Sequence, residues 1–163
     1  MRASLEPVCQ EANPVTIHSD WDIEWLPDST TLVTIGAWGI QAYRLTDKSV
    51  IPDSRIYLTG IISDLQIIDK DVLAISDWSG EVCLVGVPDW GGLRCQKLSD
   101  KAIKRMSLSE NGKYLGISSE DEIYLAEVNT RARHVQIISR MESGETGDIA
   151  VMNAGVGFTG EGC

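Results

Sequence analysis

Basic residues are scarce in this chain. Its 163 residues hold 14 lysines and arginines against 24 aspartates and glutamates, a formal net charge of −10, and the sequence pI is near 4.6. Such a surface is repelled by phosphate backbones and by anionic lipid. The densest basic group, Lys101, Lys104 and Arg105, is too small to reverse that. Neither nucleic acid nor membrane is therefore expected as a partner. Long hydrophobic runs are missing too, and nothing approaches the length of a membrane span. Residues 1–14 (MRASLEPVCQEANP) lack the apolar centre of a secretory signal. The expected compartment is the cytoplasm or the nucleus.

Catalytic vocabulary is just as thin. His18 and His134 are the only histidines. There is no Gly-x-Ser-x-Gly elbow, and no Gly-x-Gly-x-x-Gly or Walker-type loop ahead of a helix. Gly155-Val156-Gly157 runs into Phe158-Thr159-Gly160 with no helical sequence behind it, which argues against a phosphate cradle. The four cysteines, Cys9, Cys83, Cys95 and Cys163, fit no zinc spacing. Cys83 and Cys95 fall on adjacent strands of one hairpin. They read as buried or half-buried free thiols, with a disulfide only in an oxidising setting. No catalytic residue, cofactor or metal is expected.

What is present is periodic. The hydrophobic fraction of 43% supports one domain with a real core, and many segments alternate apolar and polar residues as strands do. Three segments align. One runs from Asp22 (DIEWLPDS) through Leu32 (LVTI) to Ile40 (IQAY). The next runs from Asp64 (DLQIID) through Leu73 (LAIS) to Val82 (VCLV). The third runs from Arg105 (RMSLSENG) through Leu115 (LGIS) to Ile123 (IYLA). Leu32 to Leu73 is 41 residues and Leu73 to Leu115 is 42. A fourth strand recurs at Arg55 (RIYL), Arg94 (RCQKL) and Arg133 (RHVQI), 39 residues apart each time. Turn residues separate the strands. Pro27-Asp28-Ser29, Asp69-Lys70-Asp71 and Glu110-Asn111-Gly112 share one hairpin position, and Asn-Gly is a tight-turn signal because both residues tolerate positive φ. Thr46-Asp47-Lys48, the loop from Pro88 to Gly92, and Asn129-Thr130-Arg131 share a second.

A period near 40 with four short strands per unit is the mark of a propeller blade. In this respect the chain resembles the WD-repeat (WD40-like) β-propeller family over roughly residues 15–153. The third unit is nearest: Ser107-Leu-Ser-Glu-Asn-Gly-Lys-Tyr-Leu-Gly-Ile-Ser looks like the family's inner hairpin. Asp121 stands where the family places its structural Asp, and His18 roughly where its Gly-His would lie. The Trp-Asp dipeptide that ends the family's third strand is missing at that position, where Tyr43-Arg44, Val85-Gly86 and Ala126-Glu127 stand, so the family's His–Asp network is not carried over. The expected fold is all-β: an incomplete ring of four-stranded antiparallel blades at about 20–60, 61–100 and 101–140. An extension (1–14) precedes it and a Gly-rich flexible tail (154–163) follows. Val15-Thr-Ile-His-Ser aligns with an outer strand of a preceding blade, and Asp148-Ile-Ala-Val-Met-Asn with an inner strand of a following one. Three blades leave apolar sheet faces uncovered. Self-association, or missing blades from a longer chain, would cover them.

The resemblance also implies a loop face. The loops joining outer to next inner strands, and strands two to three of each blade, lie together on one side. They carry Trp21, Trp38 and Trp78 with Asp20, Asp77, Glu120, Asp121 and Glu122. These residues make a protein- or peptide-binding face with a preference for a basic partner, because exposed Trp supplies anchor area and carboxylates steer cations. The alternative is that the tryptophans fold back to cap the blades. Trp25, within an inner strand, is expected in the core, and Trp90 to pack locally. Asp20-x-Asp22-x-Glu24 and Ser119-Glu-Asp-Glu122 read as solvated charge, since neither has calcium-loop spacing. The repeated Arg55, Arg94 and Arg133 read as structural, for example as edge charges. The functional expectation is a non-catalytic protein-interaction scaffold. Its rivals are a ligand-binding or enzymatic propeller with a central-channel site, and a truncated fragment without independent function.

Overall fold

A computed structural model of the chain describes residues 22–36, 39–46, 50–56, 60–87, 89–142, 149–152 and 155–158. These residues form three four-stranded antiparallel meanders and a hairpin. Blade one contains β1 (Asp22–Trp25), β2 (Thr31–Gly36), β3 (Gly39–Leu45) and β4 (Val50–Ile56). Blade two contains β5 (Ile62–Asp69), β6 (Val72–Asp77), β7 (Glu81–Gly86) and β8 (Arg94–Lys97). Blade three contains β9 (Ile103–Leu108), β10 (Tyr114–Ser119), β11 (Glu122–Asn129) and β12 (His134–Glu142). The strands of each blade lie side by side in chain order. The fold is an all-β propeller segment, and among the described residues no helix is long and apolar enough to cross a membrane.

The blades stack through two cores, because a strand covered on both faces must be apolar on both. In β6, Leu73 and Ile75 join Val33, Ile35, Ile40, Ile62 and Leu65 in a core between blades one and two. The alternate residues Val72 and Ala74 join Ile103, Met106, Leu115, Ile117 and Tyr124 in a second core between blades two and three. Period-two geometry sends successive side chains to opposite faces, so the unbroken apolar run Val72–Ile75 marks a sheet buried on both sides.

The inner-hairpin turns show why the repeat folds as it does. In blade three, Ser109 N donates to Tyr114 O (2.9 Å) and Gly112 N to Ser109 O (2.8 Å). Asn111 Oδ1 accepts from Lys113 N (3.0 Å). Blade one repeats the scheme: Leu26 N donates to Thr31 O, Ser29 N to Leu26 O, and Asp28 Oδ1 accepts from Thr30 N (2.8 Å). Only Gly112, with φ of 69°, takes the left-handed conformation in the Asn-Gly turn. Asn111 contributes its side chain instead. Ser29 occupies the equivalent left-handed position, with φ of 57°.

Several expectations need correction. The fourth strand of blade one is Val50–Ile56 rather than a strand starting at Arg55; Pro52 is tolerated there because β4 is the outer strand of its sheet. The fourth strand of blade three runs on to Glu142. Trp25 is not core: it is 49% exposed. It pairs with Leu32 in register, as Glu24 does with Val33, so it lies on the face of blade one turned away from blade two. Gly155–Phe158, expected as flexible tail, is β14 and pairs with β13 (Ile149–Met152). The hairpin lies beside β9 and β10 through β13. Cys83 and Cys95 are joined in a disulfide, not free, because the β7–β8 register sets them directly opposite each other. Trp90 packs against the first core as expected. The expected strand at 15–19 lies outside the described residues.

Candidate binding face

The turn between β6 and β7 is built to hold one tryptophan outward. Asp77 accepts from Ser79 Oγ at 2.8 Å on each carboxylate oxygen and from Glu81 N at 2.8 Å. Gly80 N closes the turn onto Asp77 O (3.2 Å), and Trp78 N donates to Ile61 O (2.9 Å) in the connection from blade one. The connection from β8 to β9 lies across the same turn: Leu98 N and Ser99 N both donate to Gly80 O, at 3.0 and 3.2 Å. The Lys97 ammonium donates to Ser79 O. Gly80 is required here. Its φ is 93°, and a Cβ would sit 2.1 Å from Ser99 O and 2.6 Å from Lys101 O. Trp78, at the tip, is 55% exposed.

Beside this turn lies a cleft of about 360 Å³ between blades two and three, lined by Lys97, Ser99, Lys101, Glu122, Tyr124 and Arg140 among others. One wall is a polar cluster. Arg140 Nε donates to Glu122 Oε1 at 2.6 Å, and the guanidinium lies 5.6 Å from the Tyr124 ring centre. The Tyr124 hydroxyl donates to Glu122 Oε2. The hydrogen bond from Tyr124, followed by that from Arg140, holds the Glu122 carboxyl below its usual range. Burial, reinforced by Glu122, raises the Tyr124 phenol. Glu120 and Asp121 stand exposed at the end of the β10–β11 loop.

A second group of charges follows the inner strands. Asp64, on β5, is buried at 4% exposure. It accepts from Leu65 N (3.0 Å) and from Met106 N on β9. Burial raises its pKa from 3.8 to about 6; the two backbone donors and Arg105 oppose the rise, and Asp22 adds to it. Glu24 on β1 is also raised, by burial and then by Asp22.

The site residues expected from sequence divide three ways. Trp78, Glu120 and Asp121 stand exposed at two neighbouring loops of one face. Asp77 is on that face too, but both its carboxylate oxygens serve the turn. Trp21, Trp38 and Asp20 lie outside the described residues. Arg140 was missed because the outer strand was expected to end before it, and Tyr124 because it was read only as part of the third strand. The acidic reading also passed over Lys97 and Lys101, which give the cleft mixed charge. Of the repeated arginines, Arg133 reaches across from blade three to donate to Gly91 O of blade two. Arg94 lies in the groove between β8 and β12.

Neither protein-family models nor curated proteins match the chain. Solved structures do. The β-propeller domain of Cps50 (Swd1) from Myceliophteria thermophila aligns with a TM-score of 0.59 at 11% identity, over 69% of this chain and 42% of that one. A protein described as a candidate 6-phosphogluconolactonase from Bacteroides uniformis ATCC 8492 aligns with a TM-score of 0.69 at 16% identity, over 82% of this chain and 44% of that one. The chain is thus similar to propellers and spans less than half the length of either. At such identities the similarity establishes the fold alone.

Proposed function

We propose that the chain is a non-catalytic interaction scaffold of WD-repeat kinship, and that the loop face bearing Trp78 binds a protein or peptide. The observation that carries this reading is the exposed indole on a turn clamped from both sides. A large aromatic held rigidly loses little entropy when covered, which is the property of an interface anchor. Glu120 and Asp121 beside it favour a basic segment, and the exposed Ile23 and Trp25 on the edge strand of blade one leave room for self-association or further blades. The cytoplasm or nucleus is the proposed compartment. The test is a selection of peptides on the intact chain, followed by titration against Trp78→Ala. The variant should keep its β-type circular dichroism and lose at least about tenfold in affinity for the selected peptides. Unchanged affinity would reject the reading.

A second reading rests on the similarity to the candidate lactonase together with the raised carboxyls of Asp64 and Glu24. It is an enzyme or ligand-binding propeller whose site faces the inner strands. Turnover of a sugar lactone that disappears in Glu24→Gln, with Trp78→Ala fully active, would favour it.

A further inference from the structure

We propose that Cys83, Cys95 and Glu81 form a redox-gated site for a thiophilic divalent cation of the Zn²⁺ class. The site adjoins the loop face through Glu81, whose N–H donates to Asp77, but none of its three ligands belongs to the loops proposed to dock a partner. Cys83 and Cys95 are direct cross-strand partners on β7 and β8. Glu81 lies two residues before Cys83, so β geometry puts both side chains on one face of the sheet. One potential ligand atom from each of the three residues lies within 4.8 Å of the others. Cys83 is buried and Cys95 exposed, so the site has a fixed wall and an open side. Lys97, the register partner of Glu81, directs its ammonium to Ser79 O.

Two thiolates and a carboxylate with one position left to water make a four-coordinate donor set suited to zinc. Oxygen-seeking cations such as Mg²⁺ and Ca²⁺ prefer donor sets without thiolate. The structure has the pair as a disulfide, and in that state the sulfurs carry no thiolate and the site is closed. Opening it takes a two-electron reduction. A cellular dithiol transfers two electrons and two protons to the disulfide, giving two thiols, and is itself oxidised to a disulfide. The cation then displaces both thiol protons and binds the two sulfurs and the Glu81 carboxylate. Reoxidation by a small disulfide, which takes the two electrons and is itself reduced to two thiols, rejoins Cys83 to Cys95 and expels the cation. In a reducing compartment, the setting proposed for this protein, the metal-competent form would prevail.

The experiment uses the full chain with Cys9→Ser and Cys163→Ser, so that only the paired cysteines titrate. Zn²⁺ is supplied in competition with a chromophoric chelator, and Cd²⁺ is followed by its thiolate charge-transfer absorption. The dithiol-reduced chain should take up one cation per chain, more tightly as pH rises because two protons are released. The oxidised chain should take up none. Cys95→Ser, at an exposed strand edge that need not disturb the core, should abolish the charge-transfer signal. Glu81→Gln should weaken binding by at least about tenfold while keeping that signal. Uptake by the reduced chain no greater than by Cys95→Ser would overturn the proposal, as would equal uptake by oxidised and reduced protein. An unaltered affinity in Glu81→Gln would remove the carboxylate and leave no three-ligand site.

Discussion

Asp64→Asn should change the pH dependence of stability more than stability itself. Asp64 sits at the seam of blades two and three, where its carboxylate accepts the Met106 N–H of β9. That N–H belongs to the innermost strand of its sheet, and covering it blunts an open edge. Burial raises the carboxyl from 3.8 to about 6. Because the folded value lies above the unfolded one, the native state holds a proton that the unfolded chain releases across that window. The contribution of Asp64 to stability is therefore greatest below about pH 4, falls as pH rises toward 6, and stays lower above it. The full shift corresponds to at most about 3 kcal/mol, and screening near the exposed Arg105 reduces it to roughly 1–2 kcal/mol. Asparagine cannot ionise but still offers one oxygen to Met106 N. The loss of an acceptor for Leu65 N sets a constant offset. The difference in unfolding free energy should therefore move by about 1–2 kcal/mol in favour of Asp64→Asn between pH 4 and pH 7. Urea unfolding followed by circular dichroism at several pH values reads it directly. A difference that is flat with pH would refute the assignment of a buried, proton-binding carboxyl at this seam.

Other perturbations have equally definite signs. Ser29→Gly relieves a left-handed residue and should stabilise the chain by about 0.5–1 kcal/mol in thermal unfolding, after the larger unfolded-state entropy of glycine is subtracted. Gly80→Ala should destabilise by about 2 kcal/mol or more, since it forces both an unfavourable φ and a clash with the Ser99 carbonyl. The Trp78 loop should loosen with it, measurable as faster hydrogen exchange at the Leu98 and Ser99 amides. If Glu120 and Asp121 steer a basic peptide, its association rate should fall as salt rises; stopped-flow rates independent of salt would contradict that steering.

The blades were legible in the sequence because their pitch is set by backbone geometry that turn residues announce. Pro27-Asp28-Ser29 and Glu110-Asn111-Gly112 fold into the same hydrogen-bonded turn, and the unbroken apolar run Val72–Ile75 marks a sheet covered on both faces. What alternation cannot say is whether a given face finds cover. Trp25 obeys the strand pattern and still lies exposed: it stands on β1, the edge strand of its sheet, while its register partner Leu32 on the same face is buried. Strand ends were obscured where polarity breaks the pattern, as in Ser139-Arg140-Met141-Glu142, and this hid the Arg140–Glu122–Tyr124 cluster. The Cys83–Cys95 pairing depends on the register after the Val87–Leu93 loop, which no local signal specifies. Asp77 looked like a partner-steering carboxylate because sequence cannot distinguish an acid that faces solvent from one that holds a turn.

The central claim is that partners dock on the face formed by residues 77–80, 98–101 and 119–122. Hydrogen exchange with and without a saturating selected peptide tests it most directly. The account predicts slowed exchange confined to those three loops, abolished by Trp78→Ala. Protection along β1, β5 and β9, with the loops unchanged, would contradict it and place the binding site on the inner strands.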